Sequence, residues 1–325
     1  MRDSRLLAIV DFPESLLVAP DVLGCSVHVS INGEIGRLNV PRPPASMASN
    51  GRRPERIMLS TPRGGRREWV WGDKSKHWGQ VVDTKSGHAT VDAVIVDFGA
   101  FGEDGDSRAQ RIHDGFAGWQ KRFFEFVKLL SRQGTSNSFE GGDSGGLVEM
   151  LHDSRGRTAH VPVRSGTKLT VFMPNMDNAI CVRAFRRAAR LAAAGRPLRL
   201  EYDLLLESYY ARRAADYRNT VLQAGAAVEV ALVSAIRRAC NNRGLAFGDK
   251  LISKYNALRG KFELAKLLDV CVPDIDYVSM LLEPRNRVAH QGHLPSRKEA
   301  NRAVTCAESI LAAIAPGLVE ATDDV

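Results

Sequence analysis

The sequence predicts an α+β chain in parts: a β-rich, sandwich-like domain over residues 1–177 with one long helix, a basic linker helix at 178–197, and an all-α bundle over 198–325. Three observations carry this. Short apolar stretches broken by Gly, Pro, Asn and Asp fill the first half; an aromatic stripe at helical spacing interrupts them once; after Pro174 the apolar period becomes that of helices. A chain of 325 residues with 44% hydrophobic content suits two cores better than one.

In the first half Val27, Val29 and Ile31 alternate with polar residues and run into Asn32-Gly33, a two-residue hairpin signal, so a hairpin is expected over 26–40. Further strands are expected at Arg5 to Asp11, Arg56 to Ser60, Glu68 to Trp71, Val91 to Phe98, Leu147 to Leu151, Thr158 to Val163 and Leu169 to Met173. Many short strands with turn residues between them suggest a sandwich or open barrel. From Ser107 to Arg132 the residues Phe116, Trp119, Phe123, Phe126 and Leu130 recur at steps of three or four, the stripe of a helix packed on a sheet.

Beyond Pro174, Asn178 to Ala194 reads as a helix with Arg183, Arg186, Arg187 and Arg190 on one side, ended by Gly195-Arg196-Pro197. Leu198 to Asn242 reads as helical throughout, with a bend near Asp216 to Asn219. Its seam of Val221, Ala224, Val228, Leu232, Ala235 and Ala239 faces a bundle core, and Gly225 beside that seam lowers helix propensity. Shorter helices are expected at Asp249 to Leu258 and Lys261 to Leu268, then one from Ile275 that breaks or restarts at Pro284. A last helix, Pro295 to Ile314, repeats Ala300, Val304, Ala307, Leu311 and Ile314 at a 4-3-4-3 spacing.

The five cysteines are odd in number and far apart, which argues against a disulfide framework or a zinc cluster. No apolar run in the sequence reads as a membrane span or a signal-peptide core, so a cytoplasmic protein with no membrane partner is expected. The formal charge of +8 is uneven, since residues 178–325 carry 22 basic and 16 acidic side chains against 23 and 21 in residues 1–177. That excess favours a polyanion such as RNA, and the arginines at 183, 186, 187 and 190 are its candidate contacts.

Residues 278–293 carry the chemistry: Val-Ser-Met-Leu-Leu-Glu-Pro-Arg-Asn-Arg-Val-Ala-His-Gln-Gly-His. Arg285, the polar Asn286, three intervening residues and His290 form an Arg-polar-x(3)-His motif. A long apolar helix containing Glu229 precedes it, and Gln291-Gly292 closes its helix before a final amphipathic one. In motif and context residues 178–316 resemble the HEPN superfamily of metal-independent ribonucleases. The resemblance implies an endoribonuclease in which a ribose 2′-hydroxyl attacks its neighbouring phosphate, with Arg285, Asn286 and His290 as catalytic residues and no metal or cofactor. It also implies a homodimer through the bundle, and a bacterial toxin or anti-phage defence setting in which the amino-terminal domain senses a phage-derived or other trigger.

The residue types suit that reaction. Imidazole titrates near neutrality and exchanges protons with the 2′- or 5′-oxygen; guanidinium is permanently charged and clamps a phosphorane with two donors. At about 100° per residue Asn286 and His290 share a face, whereas Arg285 and His290 diverge by roughly 140°, so one helix aligns them poorly. Two copies across a two-fold axis would line one cleft with both sets, as the resemblance implies. Arg287 and His293 are candidate RNA contacts, and Glu229, a carboxylate among apolar neighbours, needs a partner and is possible support for the site. The plainer alternative is that His290 caps a helix end, Arg285 bridges to Glu283 or Glu229, and the bundle is an inactive dimerisation and binding module for RNA or protein.

Gly142-Asp143-Ser144-Gly145-Gly146 spells the segment around the nucleophile of trypsin-like serine proteases, but the setting that family gives its histidine is absent around His77, His88 and His113. A Gly-Ser loop is the favoured reading. Neither a phosphate-binding Gly-x(4)-Gly-Lys-Ser/Thr loop nor a His-Glu-x-x-His zinc motif occurs.

Overall fold

A computed structural model describes residues 5–41, 56–60, 66–70, 79–83, 85–132, 148–151 and 178–315. The chain divides into two units, Met1–Pro197 and Leu198–Val325.

The strands of the first unit are β1 (Arg5–Val18), β2 (Ser26–Ile31), β3 (Glu34–Asn39), β4 (Arg56–Ser60), β5 (Arg66–Val70), β6 (Gly79–Asp83), β7 (His88–Ala100) and β8 (Val148–Leu151). Six of them form one antiparallel sheet, ordered β2-β3-β7-β1-β8 with β6 also on β7; β4 and β5 make a separate ribbon. Leu6 to Val10 of β1 and Ala93 to Val96 of β7 are buried without alternation, so both faces of the sheet centre are covered. The expected hairpin is β2–β3, and Asn32 and Gly33 turn it with φ of 50° and 83°, the left-handed pair that a type I′ turn requires.

Helix α1 (Gly105–Ser131) buries four of the five residues of the expected stripe, Phe116, Trp119, Phe123 and Phe126, while Leu130 near its end is half-buried. Phe12, in the bulge that breaks the β1 register between Asp11 and Leu16, meets Phe123 and Phe124 at 6.1 and 5.0 Å between centroids. Helix α2 (Val182–Ala193), read from the sequence as a linker, is built into this unit: Phe185 stands edge-on to Phe123 at 5.4 Å, and Ala188, Ala189 and Ala192 are buried beside it. Where two facing sheets were expected, helices supply the facing layer in the described residues, because the aromatic stripe of α1 provides the apolar surface that a second sheet would have provided. The expected strands at Thr158 to Val163 and Leu169 to Met173, and the Gly142 to Gly146 loop, lie outside the described residues.

Strand β6 has no counterpart among the sequence expectations. Two valines are too short a run for periodicity, and the strand exists through pairing, Gly79 opposite Val91 and Gln80 opposite Thr90. Gly79 holds φ at 142°, and a Cβ there would lie 2.0 Å from the Thr90 carbonyl oxygen, so no other residue fits.

The second unit is helical: α3 (Leu200–Arg213), α4 (Tyr217–Asn242), α5 (Gly248–Lys254), α6 (Leu258–Leu267), a π turn at Val278–Leu282, α7 (Glu283–Gln291) and α8 (Arg297–Ile314). The bend expected near Asp216 is a full break. Ala215 takes φ of 57°, Asp216 caps the new helix by accepting from the Asn219 N–H at 3.0 Å, and α3 and α4 lie along each other as a helical hairpin. Helix α4 has the length and composition of a membrane span, yet its seam from Val221 to Ala235 is buried against its neighbours in the bundle. Helix α8 begins at a capping box, Ser296 with Glu299, and at its other end Arg238 donates to the Ile314 carbonyl at 2.6 Å while the Tyr202 hydroxyl donates to that of Ala315. The π turn precedes Pro284, whose missing N–H cannot continue the ladder; the wider turn delivers the chain into α7.

Candidate functional site

The motif lies on α7, and its residues point in different directions. Val288 and Pro284 anchor the helix in the bundle; Arg285 lies half-buried toward α4; Asn286 and His290 stand exposed one turn apart. No hydrogen bond or ion pair is found for either Asn286 or His290 among the described residues. Gly292, at φ of 66°, ends the helix two residues beyond His290.

Arg285 has a built seat. Its Nη2 donates to Glu229 Oε2 at 3.3 Å, and the other carboxylate oxygen, Oε1, accepts from Lys261 Nζ at 2.9 Å. Lys261 also donates to the Asn256 carbonyl, so a lysine side chain only 7% exposed has an anion and a carbonyl for its ammonium. Glu229 thus ties α6 and α7 to α4. One turn before it on α4 stands Gly225, where a Cβ would lie 3.0 Å from Arg285 Cγ. The helix-interior glycine, unfavourable by about 1 kcal/mol relative to alanine, is explained by the aliphatic stem of Arg285 lying across it.

Lys261 is the member of this cluster that sequence reasoning missed. A signal existed: Leu258, Lys261, Phe262 and Ala265 occupy the buried positions of α6, and a lysine in an apolar register demands a buried anion. Next to it Phe262 stacks on Tyr277 at 4.0 Å, with Lys266 over the outer face of that ring at 5.3 Å, which fastens the segment leading into the π turn.

Arg287 and His293, expected as RNA contacts, converge on Glu299 of α8 at 2.7 and 3.4 Å. The same carboxylate accepts from the Ser296 N–H at 2.8 Å and hydroxyl at 2.9 Å. The Ser296 N–H, outweighing the effect of burial, together with its hydroxyl, His293 and Arg287, holds the Glu299 carboxyl down to about 2. In this chain the network shapes the turn from α7 to α8.

On the first unit, Arg183, Arg186 and Arg190 are exposed along α2 opposite its buried Phe185 face, and Arg187 is half-buried. Replacing Arg183, Arg186 and Arg190 by glutamine is expected to lower the steepness of the log Kd against log salt plot for single-stranded RNA by about 2, the contribution of three phosphates. A fluorescence-anisotropy titration measures it, and an unchanged slope excludes the stripe from binding.

No group of three or more His, Cys, Asp or Glu side chains is placed to hold a metal ion among the described residues. No family model, curated protein or solved structure matches this chain. Within one chain the structure brings Glu229, Lys261 and Arg285 together and leaves His290 and Asn286 on an open face of the same helix.

Proposed function

We propose that the chain is a metal-independent endoribonuclease of the HEPN type, a cytoplasmic homodimer through its carboxy-terminal bundle, whose amino-terminal unit regulates it in a defence or toxin role. The observation that carries this is the seating of Arg285: Glu229 engages one of its nitrogens and Gly225 makes room for its stem, while Asn286 and His290 on the next faces of α7 remain exposed. A guanidinium held by one nitrogen keeps donors for a phosphate, and an exposed imidazole can exchange protons. A second copy across a two-fold axis supplies the histidine that one helix places about 140° away from its own arginine. Regulation by the fused unit follows from the hazard of an unrestrained ribonuclease to its host.

In the reaction, His290 takes the proton of the 2′-hydroxyl as that oxygen attacks phosphorus, and the 5′-oxygen leaves with a proton from the other histidine. Arg285 stabilises the charge gathering on the non-bridging oxygens, and Asn286 supplies a further hydrogen bond. The second reading, a non-catalytic dimerisation and RNA- or protein-binding module, is favoured by the same ion pair, because Arg285, Glu229 and Lys261 also suffice as a structural bridge.

Cleavage of a single-stranded RNA in excess EDTA, with a 2′,3′-cyclic phosphate on the product and no action on a substrate carrying 2′-deoxyribose at the cut position, separates the two. Light scattering is expected to give twice 35.6 kDa for the full chain at micromolar concentration. A monomer that cuts at full rate excludes the composite site. Absence of cleavage, with expression harmless to cells, leaves the binding module.

A further inference from the structure

Helix α8 carries Arg297 and Lys298 in its first turn and Arg302 in its second, all exposed. Cations at a helix start face the positive end of the helix dipole, an arrangement unfavourable by some tenths of a kcal/mol each unless something offsets it. No acidic side chain forms an ion pair with Arg297 or Lys298 among the described residues. The nearest acid in sequence, Glu299, is engaged by Arg287, His293 and Ser296. Arg302 reaches the Ser279 hydroxyl at 3.5 Å, and the acid within its electrostatic reach, Asp276, is itself bound to that serine. With Met280, Asn301 and Thr305 these cations line a shallow, open groove of about 460 Å³ between α8 and the π turn.

We propose that this groove binds the phosphodiester backbone of a single RNA strand, with Arg297, Lys298 and Arg302 as phosphate contacts and Asn301 and Thr305 as hydrogen-bonding partners. The proposal rests on the RNA reading above and adds where the strand is held. Lys298 and Arg302 sit one turn apart, about 6 Å along the helix axis, a step that lets neighbouring cations meet neighbouring phosphates. Met280 of the π turn lines the same groove and offers a base an apolar surface beside the cations. A groove of this size and charge takes one strand; an acidic peptide is the competing ligand.

The test uses full-length protein carrying His290→Ala, so that the probe is not cut, and a fluorescein-labelled single-stranded RNA of twelve nucleotides. Adding Arg297→Gln, Lys298→Gln and Arg302→Gln is expected to weaken binding at least tenfold at 0.1 M salt and to lower the salt slope by about 2. The melting temperature should hold or rise, since the cations opposing the dipole are gone. Arg297→Lys with Arg302→Lys keeps the charges and is expected to bind within a few-fold of the parent, a readout that stands even if the glutamine variant folds poorly. If the parent binds RNA and the glutamine variant binds with the same affinity and slope, the groove is excluded while RNA binding stands. If the parent binds no RNA, the RNA reading fails and the proposal with it. If a poly-glutamate peptide displaces the probe at equal concentration of charge, the groove is an acidic-protein site and the assignment to RNA is overturned.

Discussion

Replacing His290 by alanine is expected to reduce RNA cleavage at least a hundredfold and leave the melting temperature within a few degrees of the parent. The first part follows from chemistry: removing a positioned general acid–base typically costs two to four powers of ten. The second follows from place. His290 is exposed on α7 and makes no hydrogen bond among the described residues, so its side chain removes little packing when deleted. Arg285→Lys should fall by two to three powers of ten as well, for a different reason. Lysine keeps the stem across Gly225 and a charge near Glu229, so the bundle survives, but an ammonium cannot offer two parallel donors to a phosphate. The measurement is single-turnover cleavage of a labelled RNA by each variant beside its thermal melt. Normal cleavage by the His290 variant would leave Arg285 as a bridge and the bundle as a binding module.

Legibility in the sequence followed the range of the interactions. The β2–β3 hairpin is readable because Asn32-Gly33 encodes its turn within two residues, and α1 because five apolar side chains between Phe116 and Leu130 recur on one helix face. The break between α3 and α4 reads in the sequence only as a bend: Ala214 and Ala215 are good helix formers, and the left-handed Ala215 that lets α4 return along α3 leaves no local signal. Strand β6 depends on its partner for its existence and left no periodic trace. At the site, the capping pair Ser296 and Glu299 stands three residues apart in the sequence, yet nothing local reveals that Arg287 and His293 also meet that carboxylate. Gly225 appeared as a weak point of α4, and only the chain 60 positions on, where Arg285 crosses it, shows why a side chain is excluded there.

Glu229→Ala is expected to destabilise the helical unit by about 3 kcal/mol, because it leaves the buried Lys261 ammonium with the Asn256 carbonyl and no anion. Two features set the size. The Lys261 side chain is 7% exposed, so water cannot replace the lost carboxylate at the nitrogen, whereas that of Glu229 is 30% exposed, which keeps the penalty below that of a wholly buried pair. A drop of about 10 °C in the melting temperature corresponds to it for a unit of this size. The double variant Glu229→Leu with Lys261→Met removes both charges and fills the space with apolar volume, so most of the lost stability should return. Cleavage should not return, since Arg285 then has no carboxylate to fix its guanidinium. Stability and activity therefore part company in the double variant, which thermal melts and cleavage rates on the same samples will read. If the single variant melts like the parent, the three-residue bridge does not hold the bundle together. If the double variant recovers cleavage along with stability, Glu229 serves only the fold, and the orientation of Arg285 is set by Gly225 and α7 without it.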